Sequence, residues 1–139
     1  MADLTLEILT PSKLAFTGDV KSVAVPGTLG SFQILYNHAP VISTLDIGTI
    51  KIETGDKSLL YFATSGGTIE VLNNKIRILT DALEAVDDID LKRAKDALER
   101  AQNRIANKDT EKINLKRAEA ALARAANRIK LVEKHSAVH

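Results

Sequence analysis

The residues of this 139-residue chain best able to act on another molecule are its basic ones, and they are concentrated. From residue 112 to residue 134 stand Lys112, Lys116, Arg117, Arg124, Arg128, Lys130 and Lys134, against only Glu119 and Glu133, a net of +5. Such a stretch attracts an acidic partner by Coulomb forces. Nucleic acid is normally gripped by aromatic stacking as well, and no Phe, Tyr or Trp follows Phe62. An Asp/Glu-rich protein surface is therefore the better match, and no nucleic acid is expected. The remaining chemistry is sparse. Cysteine is absent, which excludes disulfides, thiolate metal sites and a cysteine nucleophile, and fits a reducing cytosol. Of three histidines, His135 and His139 lie in a polar tail and His38 stands alone between Asn37 and Ala39-Pro40, so no metal is expected. A phosphate-binding loop, a dinucleotide fingerprint, a His-Glu-x-x-His zinc motif and a Gly-x-Ser-x-Gly nucleophile elbow are all missing. Catalytic residues are not expected, and His38 reads as an interface or structural residue.

The elements that must carry these residues fall into two kinds. All seven glycines and all three prolines occur at or before Gly67, so turns belong to the first part of the chain and long helices to the second. The charge divides in the same place. Up to Ala85 there are six Lys/Arg and nine Asp/Glu, a net of −3, and beyond it thirteen and nine, a net of +4. Two domains are expected, residues 1–85 and 86–139.

In the first domain Leu4, Leu6 and Ile8 alternate with Thr5 and Glu7, and the same two-residue rhythm runs up to a turn at Pro26-Gly27. Ile47-Gly-Thr-Ile-Lys-Ile-Glu53 and Lys57-Ser-Leu-Leu-Tyr-Phe-Ala63 flank Thr54-Gly55-Asp56 as a hairpin. Asn73-Asn74 joins a second pair of strands, and its two asparagines tolerate the positive φ of a two-residue turn. About ten short strands with turns every 8–12 residues predict an antiparallel β-sandwich or flattened barrel.

The second domain repeats itself. The fifteen residues from Leu91 share eleven identities with the fifteen from Leu115. Apolar residues step by 3 and 4 through Leu91, Ala94, Leu98, Ala101 and Ile105, and again through Leu115, Ala118, Leu122, Ala125 and Ile129, giving each helix one narrow seam. A helix stop at Asn107 and a new N-cap at Asp109 or Thr110 predict an antiparallel two-helix hairpin, with Asp87, Asp88 and Asp90 at the start of its first helix. Every second seam position is alanine, so little apolar area leaves water and the pairing is weak, while each helix is locally favoured by its Ala, Leu, Lys, Arg and Glu. No apolar run approaches the roughly twenty residues of a membrane span, nor does the N-terminus show a signal-peptide layout. Membrane association is expected only through a complex.

Three segments carry a resemblance: Val25-Pro-Gly-Thr-Leu-Gly-Ser-Phe-Gln-Ile-Leu-Tyr-Asn-His-Ala-Pro40, Ser65-Gly-Gly-Thr-Ile-Glu-Val-Leu-Asn-Asn-Lys-Ile-Arg-Ile-Leu-Thr80, and Asp88-Ile-Asp-Leu-Lys-Arg-Ala94. Over essentially its whole length the chain resembles the epsilon subunit of F-type ATP synthases. Gln33, Tyr36 and Asn37 replace two glycines and a proline of the family's usual first motif. The resemblance implies a ten-stranded sandwich with a helical hairpin, and a non-catalytic central-stalk subunit that couples rotor to catalytic head. The implied partners are the gamma subunit, the c-subunit ring and the alpha and beta subunits. The implied location is peripheral, on the cytoplasmic face of a bacterial inner membrane or the stromal thylakoid face of a plastid, and the lack of a transit peptide agrees. The implied rotor interface is Thr28, Leu29, Gly30, Ser31 and Phe32 with His38, Ala39, Pro40 and Val41. The extended hairpin is implied to block ATP hydrolysis by presenting Lys112, Lys116, Arg117, Arg124, Arg128, Lys130 and Lys134 to acidic segments of the beta subunits.

No cofactor is required, but some bacterial members bind ATP as a regulatory ligand between the folded helices through Ile/Leu-Asp-x-x-Arg-Ala. Here Ile89, Asp90, Arg93 and Ala94 match that pattern, Glu84 precedes them at the family spacing, and Arg100, Arg117, Arg124 and Arg128 match the relatives' nucleotide-facing arginines. Converging guanidinium groups suit a triphosphate, since each donates two parallel hydrogen bonds. The competing reading makes Asp90 an N-cap and the arginines solvated. The competing function is a free-standing adaptor whose basic hairpin binds an acidic protein or nucleic acid.

Overall fold

The computed structural model describes residues 4–107 and 114–135, and the chain divides into two compact units between Ala85 and Val86. In the first unit, alternation of side chains decides which face of each strand is buried. Strand β1 (Leu4–Thr10) buries Leu4, Leu6 and Ile8 and turns Thr5 and Glu7 outward. The same rhythm holds in β7 (Gly67–Leu72) through Ile69 and Val71, and in β8 (Lys75–Thr80) through Ile76 and Ile78. Ile50 and Ile52 of β5 (Gly48–Thr54), Val23 and Val25 of β2 (Lys13–Val25), and Ile34 of β3 (Phe32–Ile34) complete an aliphatic core edged by Phe16 and Phe62. Strands β4 (Val41–Leu45), β6 (Leu59–Thr64) and β9 (Leu83–Ala85) bring the described strands to nine, against about ten expected.

The nine strands form one continuous path, β4-β7-β8-β1-β2-β5-β6-β9, with β3 also on β2. Strand β2 is thirteen residues long because it serves both layers. Its first part pairs with β1, and its last residues lie between β3 and β5. Register shifts beside Ile8/Leu9 and between Val20 and Ser22 mark irregularities of the kind that bend a strand from one layer to the next. The sandwich is therefore mostly antiparallel, with one exception to the sequence expectation: β1 and β8 run parallel, Leu6 opposite Ile76 and Ile8 opposite Ile78. Alternation specifies a face and not a direction, and strands β2 to β7 lie between these two in sequence, so a parallel pairing is sterically open.

Turns fall close to the predicted places. Asn73 and Asn74 have φ of 51° and 62°, as a two-residue hairpin loop requires. In the β5–β6 turn the left-handed residue is Lys57 (φ 68°), and the Thr54 hydroxyl and the Ser58 amide hold the exposed Asp56 carboxyl below its ordinary pKa. Pro26-Gly27 is not itself the bend. Asp46 donates to the Pro26 carbonyl at 2.8 Å and Gly27 bridges Leu45, so this segment still follows β4 and the chain reverses over residues 27–30.

The second unit begins with a single 3-10 turn (Val86–Asp88), followed by α1 (Leu91–Ala106) and α2 (Leu115–His135). Asp90 is the N-cap of α1, its Oδ1 accepting from the Arg93 amide at 3.1 Å, while Asp87 and Asp88 belong to the 3-10 turn. For α2 the capping side chain is Asn114, whose Oδ1 accepts from the Arg117 amide at 3.1 Å; Asp109 and Thr110 lie outside the described residues. The helices pack as an antiparallel hairpin, with Leu98 beside Ala126, Ile129 and Lys130. The alanines are the deepest part of the seam. Ala94, Ala101, Ala118 and Ala125 are buried, whereas Leu98, Ile105, Leu122 and Ile129 are only half-buried.

One junction in the sandwich admits no side chain. A Cβ on Gly67 (φ +156°) would lie 1.9 Å from the Leu79 carbonyl oxygen. Around it Gly66 donates to Thr64 Oγ1 at 3.2 Å, Thr64 and Thr80 hydroxyls meet at 2.8 Å, and Thr80 donates to the Gly66 carbonyl at 2.7 Å. If Thr80 gives its hydrogen to Gly66, Thr64 gives its own to Thr80, and every buried polar atom of the group is satisfied. Gly67→Ala should therefore cost more than about 2 kcal/mol. A drop in the thermal midpoint of that variant checks this, and unchanged stability would refute it.

Candidate functional site

Two regions gather the candidate residues, one in each unit. At one end of the sandwich, the segments 27–32 and 35–41 come together. Thr28 donates its amide to the Thr44 carbonyl at 3.0 Å, and the two threonine hydroxyls are 2.7 Å apart. Gly30 donates to the Gly27 carbonyl at 3.0 Å, closing the turn that leaves Leu29 fully exposed, at 102%. The Phe32 and His38 rings sit 6.5 Å apart at 33°, which joins the two predicted segments directly. His38 Nδ1 is 2.7 Å from the Ala39 carbonyl, so that nitrogen carries the hydrogen.

Asn37 shows how the departures from the family's first motif are absorbed. Its φ is 65°, the left-handed region that glycine enters freely and asparagine tolerates better than other residues. Its amide donates to Asn74 Oδ1 at 2.7 Å and its Oδ1 accepts from Asn74 Nδ2 at 3.3 Å, tying the loop to the β7–β8 turn. The surface around these loops is apolar. Leu35 and Tyr36 are exposed, and Ile42, at 78%, shares the outward face of β4 with Thr44. Sequence reasoning did not place these three among the interface residues. The signal for Ile42 was the phase of its strand, since burying Leu45 turns Ile42 outward.

In the hairpin, the helical repeat fixes where the arginines go. At about 100° per residue, a side chain one position before a seam alanine leaves the helix on one flank, and one position after it on the other. Arg93 and Arg100 precede Ala94 and Ala101; Arg117 and Arg124 precede Ala118 and Ala125; Arg128 precedes Ile129. Antiparallel helices are viewed from opposite ends, which reverses the sense of rotation, and facing the seams toward each other reverses it again. The same flank of both helices therefore lies on one side of the hairpin. All five arginines share that side, and so does Arg104, which precedes Ile105 and follows Arg100 by one turn. Arg104 was missed in sequence reasoning although the same spacing points to it.

The other candidates are placed differently. Ile89 is buried and donates its amide to the Val86 carbonyl at 3.3 Å, and Ala94 is in the seam. Asp90 is engaged as a cap, and Glu84 belongs to the other unit, on β9 opposite Ala63. The basic residues of α2 divide: Arg117, Arg124 and Arg128 line the arginine side, whereas Lys116, Lys130 and Lys134 point away from it and are exposed. Lys112 lies outside the described residues. Among the described residues no group of three His, Asp or Glu could hold a metal ion, and no helix is long and apolar enough to cross a membrane.

Comparison with known proteins gives concordant results. Residues 3–86 match the family model for the ATP synthase delta/epsilon chain beta-sandwich domain, and residues 87–133 that for its long alpha-helix domain. An ATP synthase epsilon chain of Desulforamulus reducens is 43% identical over 106 residues, covering 76% of this chain and 80% of that protein. One from Protochlamydia amoebophila is 45% identical over 104 residues, covering 75% and 71%. Among solved structures, a chain of the Euglena gracilis mitochondrial ATP synthase (OSCP/F1/c-ring) superposes with a TM-score of 0.83 at 18% identity, covering 97% of this chain and 83% of that one. A chain of the Tetrahymena thermophila mitochondrial ATP synthase central stalk and c-ring gives 0.56 at 18%, covering 94% and 93%. These two likenesses concern the fold.

The cap geometry separates two roles of Asp90. Asp90→Ala should weaken α1 by about 1 kcal/mol, whereas Asp90→Asn, which can still accept from the Arg93 amide, should cost far less. Hydrogen exchange of the α1 amides measures both, and equal effects of the two variants would contradict the capping role.

Proposed function

The chain belongs to the ATP synthase delta/epsilon-chain family, and from that membership we propose that it is a non-catalytic central-stalk subunit whose C-terminal helices restrain ATP hydrolysis. The observation that carries the reading is the division of the chain: the two family models meet at residues 86 and 87, beside the boundary between the sandwich and the hairpin. A rigid aliphatic core suits a rotor element that must transmit torque. Its docking surface is the loop end, where Leu29 and Ile42 are exposed beside the joined Phe32 and His38. The partners there are the gamma subunit and the c-subunit ring, consistent with the assemblies in which the Euglena and Tetrahymena chains occur. The position is peripheral, on the cytoplasmic face of a bacterial inner membrane, and reaches the membrane only through the complex. The adaptor reading loses ground, since the curated relatives described above are ATP synthase epsilon chains.

The hairpin acts on the alpha and beta subunits. An alanine-lined seam gives up little when the helices part, and α2 then offers Lys116, Arg117, Arg124, Arg128, Lys130 and Lys134 to an acidic surface, with Lys112 next to them in sequence. ATP opposes opening. Closure brings six arginines to one side of the hairpin, and a triphosphate there offsets their repulsion while accepting paired hydrogen bonds. The bound state is thus the closed one, and scarcity of ATP releases the inhibitory form.

Ending the chain after Ala85 should leave a folded sandwich that assembles into the complex and raises its ATP hydrolysis; unchanged hydrolysis would remove the regulatory half of the proposal. For the nucleotide, calorimetric titration of the isolated chain with ATP should show binding that Arg93→Ala with Arg124→Ala weakens by about 10-fold or more. No binding up to millimolar ATP, or equal binding by the double variant, would eliminate the site.

A further inference from the structure

One large side chain of the hairpin is buried where the seam does not reach. Leu131, 2% exposed, is the only buried residue among those described from Ala126 to the end of α2. At about 100° per residue it points roughly 120° away from Ala125, toward the arginine flank, so the helix that faces α2 across the alanines does not cover it. Antiparallel packing brings the last turns of α2 back to the start of α1, where the 3-10 turn stands, and α2 packs against that turn. The turn offers a matching apolar surface. Val86 and Ile89 are each 9% exposed, while Asp87 and Asp88 between them face outward. The turn is itself fixed to α1. The Ile89 amide donates to the Val86 carbonyl at 3.3 Å, and Ile89 and Ala94, both buried, occupy the two positions of a hydrophobic staple around the Asp90 cap.

We propose that Leu131 closes on Val86 and Ile89 as a latch, fastening the end of α2 to the turn ahead of α1, and that this latch, with the alanine seam, holds the hairpin shut. A leucine buried to this depth removes more apolar surface from water than any one alanine of the seam. Its place adds to its leverage. The chain joins the two helices at their other end, so parting begins at the end where Leu131 sits. The regulatory meaning of the latch rests on the function proposed above, in which the open hairpin is the inhibitory one: releasing Leu131 favours that state, and the restraint on opening becomes a property of one side chain rather than of the whole seam.

Hydrogen exchange at the Ile89 amide of the full chain tests the latch, because that amide lies on the turn and not on the helix that carries Leu131. Leu131→Ala, which keeps a good helix former, should speed exchange there by about 10-fold or more. Val86→Ala should speed it too, and the two together by less than the product of their separate effects, since both remove the same contact. Leu131→Met, close in volume, should stay near the parent rate. Val86→Ala lies outside both helices and carries the test if Leu131→Ala loses helical circular dichroism. Exchange unchanged by the folded variant, or separate effects that multiply fully, would overturn the proposal. In the assembled complex Leu131→Ala should also lower ATP hydrolysis; faster exchange at Ile89 with unchanged hydrolysis would leave the latch standing and refute the regulatory reading instead.

Discussion

The side chains buried in the two helices are four alanine methyl groups, those of Ala94, Ala101, Ala118 and Ala125, and one large residue, Leu131. At about 0.8 kcal/mol per buried carbon, the four methyl groups contribute about 3 kcal/mol, and Leu131 adds about 1.5–3 kcal/mol, before any ordering cost is counted. The sandwich core contains fourteen buried aliphatic residues, each worth about 1.5–3 kcal/mol on the same scale. Aliphatic burial is thus concentrated in the sandwich, and the two helices hold to each other through far less of it. Alanine is also what permits close approach, so shorter contact and weaker contact come from the same choice of residue.

A weak seam by itself would only fray. What gives it direction is that the same fifteen-residue unit, used twice, puts an arginine just before each seam alanine. In an antiparallel pair this rule sends all of those charges to one side, so closing the helices raises like-charge repulsion there. The cost falls with salt, since exposed charges farther apart than about 8–10 Å are largely screened at physiological ionic strength. It falls much further with a bound polyanion, which replaces repulsion by charge-assisted hydrogen bonds. Apolar residues meanwhile accumulate on the other side, because the leucines and isoleucines of the repeat lie off the contact line rather than on it.

Much of this could be read from the residues alone, and the failures have identifiable causes. Alternation gave the strands, and Asn73-Asn74 gave a turn whose two positive φ values are present. Alternation carries no direction, so the parallel β1–β8 pair was invisible, and it does not register that one long strand, β2, belongs to two layers. The spacing of the repeat gave the seam but ranked Leu98 and Leu122 equal with the alanines, because a heptad pattern marks a stripe without marking its centre. The cap of α2 was misplaced for a simpler reason: Asp109, Thr110 and Asn114 are all good capping residues, and only the backbone distinguishes among them.

The loop end of the sandwich shows how a motif can change in sequence and keep its geometry. Glycine suits the position of Asn37 because no Cβ hinders the left-handed conformation; asparagine adopts it at some cost, and here its side-chain oxygen is bonded. The Asn74 side chain accepts from the Asn37 amide and donates to that oxygen, while the Asn74 carbonyl accepts from Thr5 at 2.9 Å, so the loop is anchored to β1 as well as to the β7–β8 turn. Freedom lost with glycine is thus replaced by bonding specific to asparagine. The consequence reaches His38, the next residue, whose position against Phe32 depends on the direction in which the chain leaves Asn37. A polar clasp between two loops in this way sets the shape of an exposed apolar surface.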